Sequence, residues 1–108
     1  MDYRKMGNSN ILLSEVSLGC WVMGGDYWGG ADDNDSVEAI IEAVENGVNF
    51  IDTAEIYGWG RSEEIVGKAL KGRRSKAIIS TKVWRSHMHY NDVKKACEDS
   101  MKTSSVCG

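Results

Sequence analysis

The sequence predicts a parallel α/β fold, and three observations carry that prediction. Short apolar runs alternate with amphipathic helical stretches, the pattern of strands laid side by side with helices packed on them. The runs are continuous rather than alternating in polarity, as in strands buried on both faces. The strand ends at Gly19, Asp52 and Lys82 are spaced by about 33 and 30 residues, against roughly 31 per unit in a (β/α)8 barrel of about 250 residues. The expected architecture is an N-terminal hairpin plus about three β/α units of a (β/α)8 TIM barrel, incomplete, with a fourth strand due just past the last residue. No internal repeat or low-complexity segment interrupts it.

Composition fits that class and narrows the function. The 108 residues carry a formal net charge of −3 and are 42% hydrophobic, which suits a globular unit rather than a disordered one. Mild acidity with mixed charges argues against a nucleic-acid partner. No apolar run approaches the roughly 18 residues that span a bilayer, and no signal-like core follows Met1-Asp2-Tyr3-Arg4-Lys5. Cys20, Cys97 and Cys107 have no metal-ligand spacing and read as reduced thiols. The expectation is a cytoplasmic protein with no membrane partner and no metal.

In chain order, Tyr3–Met6 and Ile11–Leu13 flank the turn-rich Gly7-Asn8-Ser9-Asn10, a hairpin pattern. Val16–Gly19 is the first barrel strand. The loop Cys20–Gly30 follows, rich in glycine and large aromatics. Trp21 and Trp28 suit either core packing or a pocket for a planar ligand. The first helix is capped by Asp35 with Glu38 as its reciprocal partner. Val37, Ile40, Ile41 and Val44 share one of its faces, and Gly47 ends it. Val48–Ile51 is the second strand. The next helix starts at Ser62, buries Ile65, Val66, Ala69 and Leu70, and stops at Gly72. Arg73, Arg74 and Lys76 read as a solvated loop. Ala77–Thr81 is the third strand. A polar loop with His87 and His89 leads to a helix from Asn91 with Val93, Ala96, Cys97 and Met101 on one face.

The stretch from Phe50 to Gly67 organises the chain. A strand delivers Asp52 at its end, Tyr57 follows on a glycine-rich turn, and a helix begins at Ser62. Acid and phenol therefore sit on the catalytic end of such a barrel, with Lys82 ending the next strand on that side. A free phenol, with a pKa near 10, donates a proton poorly at neutral pH, and a nearby ammonium favours its ionised form. A carboxylate keeps that ammonium charged and placed. Such a phenol can act as a general acid toward a carbonyl oxygen.

Asp52-Thr53-Ala54-Glu55-Ile56-Tyr57-Gly58-Trp59-Gly60-Arg61-Ser62-Glu63 resembles the signature of the aldo-keto reductases. The resemblance covers Met1 to about Lys102 and implies reduction of aldehydes or ketones with NADPH. It implies Tyr57 as proton donor, tuned by Asp52 and Lys82, and a small-molecule carbonyl substrate. It places Cys20, Trp21 and Asp52 near the nicotinamide end of the cofactor, and it puts the hairpin across the bottom of the barrel. Two rival oxidoreductase patterns fail. Glu63 stands where a dinucleotide fingerprint starting at Gly58 needs its third glycine, and no Tyr-x-x-x-Lys pair contains Tyr57.

The resemblance extends over the first third of the family's barrel. Its fourth catalytic residue, a His, has no counterpart, since His87 and His89 precede a helix rather than end a strand. Residues 103–108 form an atypical tail after a 1–102 barrel portion, which suggests a truncated or frame-shifted product without turnover. Three strands would leave open edges and strip residues such as Val48 and Ile79 of their opposite wall, favouring self-association. The alternative reading is a non-catalytic nicotinamide-binding or regulatory module on the same scaffold.

Overall fold

The structure, a computed structural model, describes residues 1–23 and 32–104. Most of the glycine-rich loop, including Trp28, and the last four residues lie outside the described part. A hairpin opens the chain, β1 (Tyr3–Lys5) against β2 (Leu12–Ser14). Then follow β3 (Leu18–Gly19), α1 (Asp33–Glu45), β4 (Phe50–Asp52), α2 (Arg61–Ala69), β5 (Ile78–Ser80) and α3 (Tyr90–Thr103). The last three strands form one parallel sheet in the order β3-β4-β5. The described strands thus form an open sheet with helices, three β/α units without a closed barrel.

Register decides what each strand shows. Leu18, Ile51 and Ile79 are paired across the sheet, and all pack into the core with Ile40, Val44, Ile65, Val66 and Leu70 of the helical layer. Period-two alternation then sends Phe50, Asp52, Ile78 and Ser80 to the opposite face. Val48 is buried, and Ile79 packs against the helical core. Both are thus at least partly covered, Val48 on the same face as Phe50 and Ile79 on the face of the helices.

The hairpin is tied to the N-terminal end of β4, opposite Asp52. The Asn49 side chain accepts from the Ser14 amide at 2.7 Å and donates to the Leu12 carbonyl at 2.9 Å. The Tyr3 hydroxyl donates to the Gly47 carbonyl at 2.7 Å. Gly47 ends α1 with φ of 98°, a left-handed conformation that favours glycine.

Four local expectations are corrected. The cap of α1 is Asp32, whose carboxylate accepts from the Asn34 and Asp35 amides. Asp35 lies inside the first turn of a helix that begins at Asp33. Helix α2 starts at Arg61 behind a left-handed Gly60, and Ser62 is not its cap. The basic run is not simply solvated. Arg73 donates to the Ala69 carbonyl and Arg74 to that of Ala77, while Arg73 and Lys76 pair with Glu45, so it closes the end of α2 against α1. On α3 the buried positions are Ala96 and Ser100, and Cys97 is exposed.

Helix α2 and the end of α3 are in close contact. A Cβ added at Gly67 would lie 2.8 Å from the Ser104 carbonyl carbon and 3.0 Å from the Thr103 oxygen. Gly67→Ala is therefore expected to destabilise the chain by about 1–3 kcal/mol through overpacking against backbone, despite alanine's better helix propensity. A urea midpoint that stays put or rises would refute the close approach.

Candidate active site

The parallel sheet brings all its C-terminal strand ends to one side. Pairing continues past the strands there. The Cys20 amide donates to the Asp52 carbonyl at 2.9 Å, the Thr53 amide to Ser80 at 2.8 Å, and the Glu55 amide to Lys82 at 3.2 Å. These bonds hold Asp52, Tyr57 and Lys82 within reach of one another, although Lys82 is far from both in sequence.

Lys82 is the hub. Its Nζ donates to both oxygens of Asp52, at 2.9 and 2.8 Å, and to the Thr53 carbonyl at 3.0 Å. It reaches the Tyr57 hydroxyl at 3.4 Å and lies 5.1 Å from the centre of that ring. Burial pulls the pKa of the Lys82 ammonium down. The hydrogen bonds to Asp52 and Tyr57, with their charge attraction, outweigh that and hold it above the ordinary lysine value.

A buried hydroxyl pair underlies the site. Ser62 donates to the Cys20 carbonyl at 2.7 Å, which uses its one hydroxyl proton. Thr53, 2.7 Å from the Ser62 oxygen, must then donate to it. Both side chains are fully buried. The pair joins the end of β3, the end of β4 and the first turn of α2, which is why Ser62 does not cap its own helix.

Cys20 is fully buried within the core, its thiol 3.8 Å from the Leu18 carbonyl. Burial, with the Asp52 charge second, pushes the thiol pKa up to about 12, against a small opposing pull from Lys82. It is an inert core group at neutral pH. Its neighbour Trp21 is 54% exposed and lines a cleft of about 340 Å³ with Ile56, Tyr57, Trp59 and Trp84. The structure therefore groups Asp52, Tyr57, Lys82 and Trp21, and turns the Cys20 side chain away from them.

Three features escaped the sequence reading. Tyr57–Gly60 is a tight turn in which Gly58, Trp59 and Gly60 all have positive φ, and Trp59 projects with 78% exposure. Glu55 accepts from the Trp84 amide and contacts His87 Nδ1 at 2.8 Å, so His87 braces the loop after β5. Trp84 and Arg85 line a second cleft of about 430 Å³ that also contains Tyr57 and Lys82. The aromatic in Lys82-Val83-Trp84 was a visible cue, while the Glu55 contact spans too much sequence to be read from spacing. Among the described residues, no cluster of three His, Cys, Asp or Glu could hold a metal ion, and no helix is long and apolar enough to cross a membrane.

Residues 15–106 match the model of the aldo/keto reductase family. The chain is 41% identical over 101 residues to aldo-keto reductase YhdN of Bacillus subtilis, covering 89% of this chain and 30% of that one. It is 38% identical over 96 residues to a probable voltage-gated potassium channel subunit beta of Oryza sativa, covering 85% of this chain and 28% of that protein. Its fold superimposes on an aldo-keto reductase from Klebsiella pneumoniae crystallised with NADPH, with a TM-score of 0.79 and 32% identity, covering 87% of this chain and 32% of that one. A thermostable aldo-keto reductase bound to the inhibitor epalrestat gives a TM-score of 0.86 at 35% identity, covering 97% and 39%. The chain thus spans about a third of the length of these relatives.

The raised Lys82 pKa has a testable sign. A group with a raised folded pKa contributes stability that is complete below its unfolded value and is lost as pH rises through the folded one. The Lys82–Asp52 contact should hold through neutral and mildly alkaline pH and fade only above the ordinary lysine range. Amine labelling read by mass spectrometry should show Lys82 reacting at higher pH than the lysine of an unstructured reference peptide. In Asp52→Asn the Lys82 curve should move to lower pH. A curve unchanged by that substitution would contradict the assignment.

Proposed function

The chain belongs to the aldo/keto reductase family, and from that premise we propose that Asp52, Tyr57 and Lys82 are the proton-donating site of an NADPH-dependent reductase of aldehydes and ketones. The carrying observation is one ammonium touching both a carboxylate and a phenol at the mouth of an open cleft. Tyr57 is the general acid, giving its proton to the substrate's carbonyl oxygen. Lys82 stabilises the negative charge that develops on the phenol oxygen as that proton leaves. Asp52 keeps Lys82 charged and aimed.

The residues present suit the nicotinamide end of the cofactor. Flat apolar walls from Trp21, Tyr57 and Trp84 fit a planar ring, and Asp52 supplies a polar group beside them. Cys20 serves from the core, anchoring Trp21 through the Ser62 bond to its carbonyl. When bound, the cofactor supplies the hydride. With reduced thiols and no membrane-spanning helix among the described residues, the cytoplasm is the proposed compartment.

A second reading is a non-catalytic nicotinamide-binding or regulatory module, and the similarity to a probable channel beta subunit favours its regulatory form. The intact Asp52–Lys82–Tyr57 contact favours the enzyme. A complete barrel carrying this segment separates the two. Aldehyde-dependent NADPH oxidation marks the enzyme, and binding without oxidation marks the module. In that barrel Tyr57→Phe should lower kcat about 100- to 10,000-fold, the usual worth of a general acid, while NADPH fluorescence still reports binding. Full activity in the variant would remove Tyr57 from its role.

For the 108-residue chain alone we infer no turnover and association with itself. Strands β3 and β5 are the outer strands of the described sheet, and Phe50 and Ile78, on the face turned from the helices, are only partly buried. Unpaired edges beside apolar surface invite strand pairing with a second copy. Size-exclusion chromatography with light scattering should show mass rising with concentration. A monodisperse monomer that oxidises NADPH with an aldehyde would overturn this.

A further inference from the structure

The cleft of about 430 Å³ has a composition that the proton-donating role leaves unexplained. Its volume falls in the range of small-molecule sites. Ala54, Ile56, Val83, Met88 and the Trp84 indole make apolar walls. Three polar side chains interrupt them: Tyr57, Lys82 and Arg85. The charge on Lys82 is matched by Asp52 at 2.8 Å. Among the described residues the charge on Arg85 is not matched. Its guanidinium stacks 5.3 Å from the Trp84 ring centre and makes no ion pair or hydrogen bond among the described residues. The nearby carboxylate of Glu55 is engaged by the Trp84 amide and His87.

The cleft thus runs between a neutralised acid pair and an unneutralised cation held on an aromatic plate. A stacked guanidinium keeps its planar fork of donors free in the ring plane, the arrangement that receives a carboxylate through two parallel bonds. Stacking also restrains a side chain that would otherwise lose rotamer freedom on binding. We propose that the substrate class of this site is a planar or apolar aldehyde or ketone carrying a carboxylate remote from its carbonyl, with Arg85 as the residue that selects for the acid. This rests on the reductase reading above. The carbonyl lies toward Tyr57, the apolar spacer crosses Ile56 and Trp84, and the carboxylate meets Arg85.

The test is a binding measurement on the chain itself, without cofactor, so it does not depend on turnover. Tryptophan fluorescence is titrated with 4-formylbenzoate and with its uncharged methyl ester. The acid should bind about tenfold tighter than the ester, the usual worth of a hydrogen-bonded charge, and added salt should erode that preference. In Arg85→Gln the two should bind equally, and Arg85→Lys should keep part of the preference. Equal affinities in the unaltered chain, binding of neither compound, or a preference that survives Arg85→Gln would overturn the proposal. So would a loss confined to NADPH binding in Arg85→Gln, which would assign the cation to cofactor phosphate. Failure of the reductase reading looks different: the acid preference stands, and a complete barrel carrying this segment oxidises no NADPH with 4-formylbenzoate.

Discussion

Parallel pairing of β4 with both neighbours is the constraint on which the rest of this structure depends. With Ile51 opposite Leu18 and Ile79, one face of the sheet meets the helices. Asp52 then leaves the strand toward the other face, at the end where Lys82 arrives from β5. A slip of one residue would exchange the two, placing a carboxylate in the core and an isoleucine in the site. Burial of Ile51 guards against that slip, because an ionised carboxylate in its place would be left without water or a partner. Core packing and site geometry are therefore the same choice made once.

The site rests on a floor of satisfied polar groups. Thr53, Ser62 and the Cys20 carbonyl are buried, yet each hydroxyl has a partner. Such a chain of bonds in a low-dielectric interior is stiff, since breaking one leaves a buried group unpaired. It ties three elements directly beneath the Asp52–Lys82 contact. Stiffness matters where a phenol must meet a substrate oxygen at hydrogen-bond distance. The turn after Tyr57 adds a stored cost. Trp59 holds a left-handed backbone, which disfavours a residue with a Cβ by ~1–2 kcal/mol. Glycines on both sides lower the steric demand, and the bulky indole is placed outside, at the cleft rim rather than in the core.

Charge is distributed in two ways on this surface. Near the hairpin and along the middle of α3, pairs such as Arg4–Glu15 and Lys95–Asp99 are exposed and contribute little to stability. Around the strand ends, acids and bases also shape backbone. Lys82 binds the Thr53 carbonyl and Glu55 binds the Trp84 amide, so side chains of one connection position the main chain of another. The connection after β4 and the connection after β5 thereby act as one unit, with Tyr57 and Trp84 on a shared wall.

Local chemistry made much of this readable from the sequence alone. Apolar runs at a regular spacing gave the β/α units, helical periodicity gave Ile40, Val44, Ile65 and Leu70 as core, and the order of Asp52, Tyr57 and Lys82 about strand ends pointed to one site. These are short-range properties, set by periods of 2 and 3.6 and by turn residues. Competition between partners could be decided only in three dimensions. Asp32 capped a helix that starts before Asp35, and Ser62 was drawn to the Cys20 carbonyl instead of its own helix. Cys20 was sealed inward while Trp21 turned out. On α3, Ala96 and Ser100 were buried and Cys97 left exposed. In each case several groups of similar propensity were available along the chain. The choice fell to whichever left no buried donor or acceptor unpaired and no backbone too close, and that is a property of the packed structure.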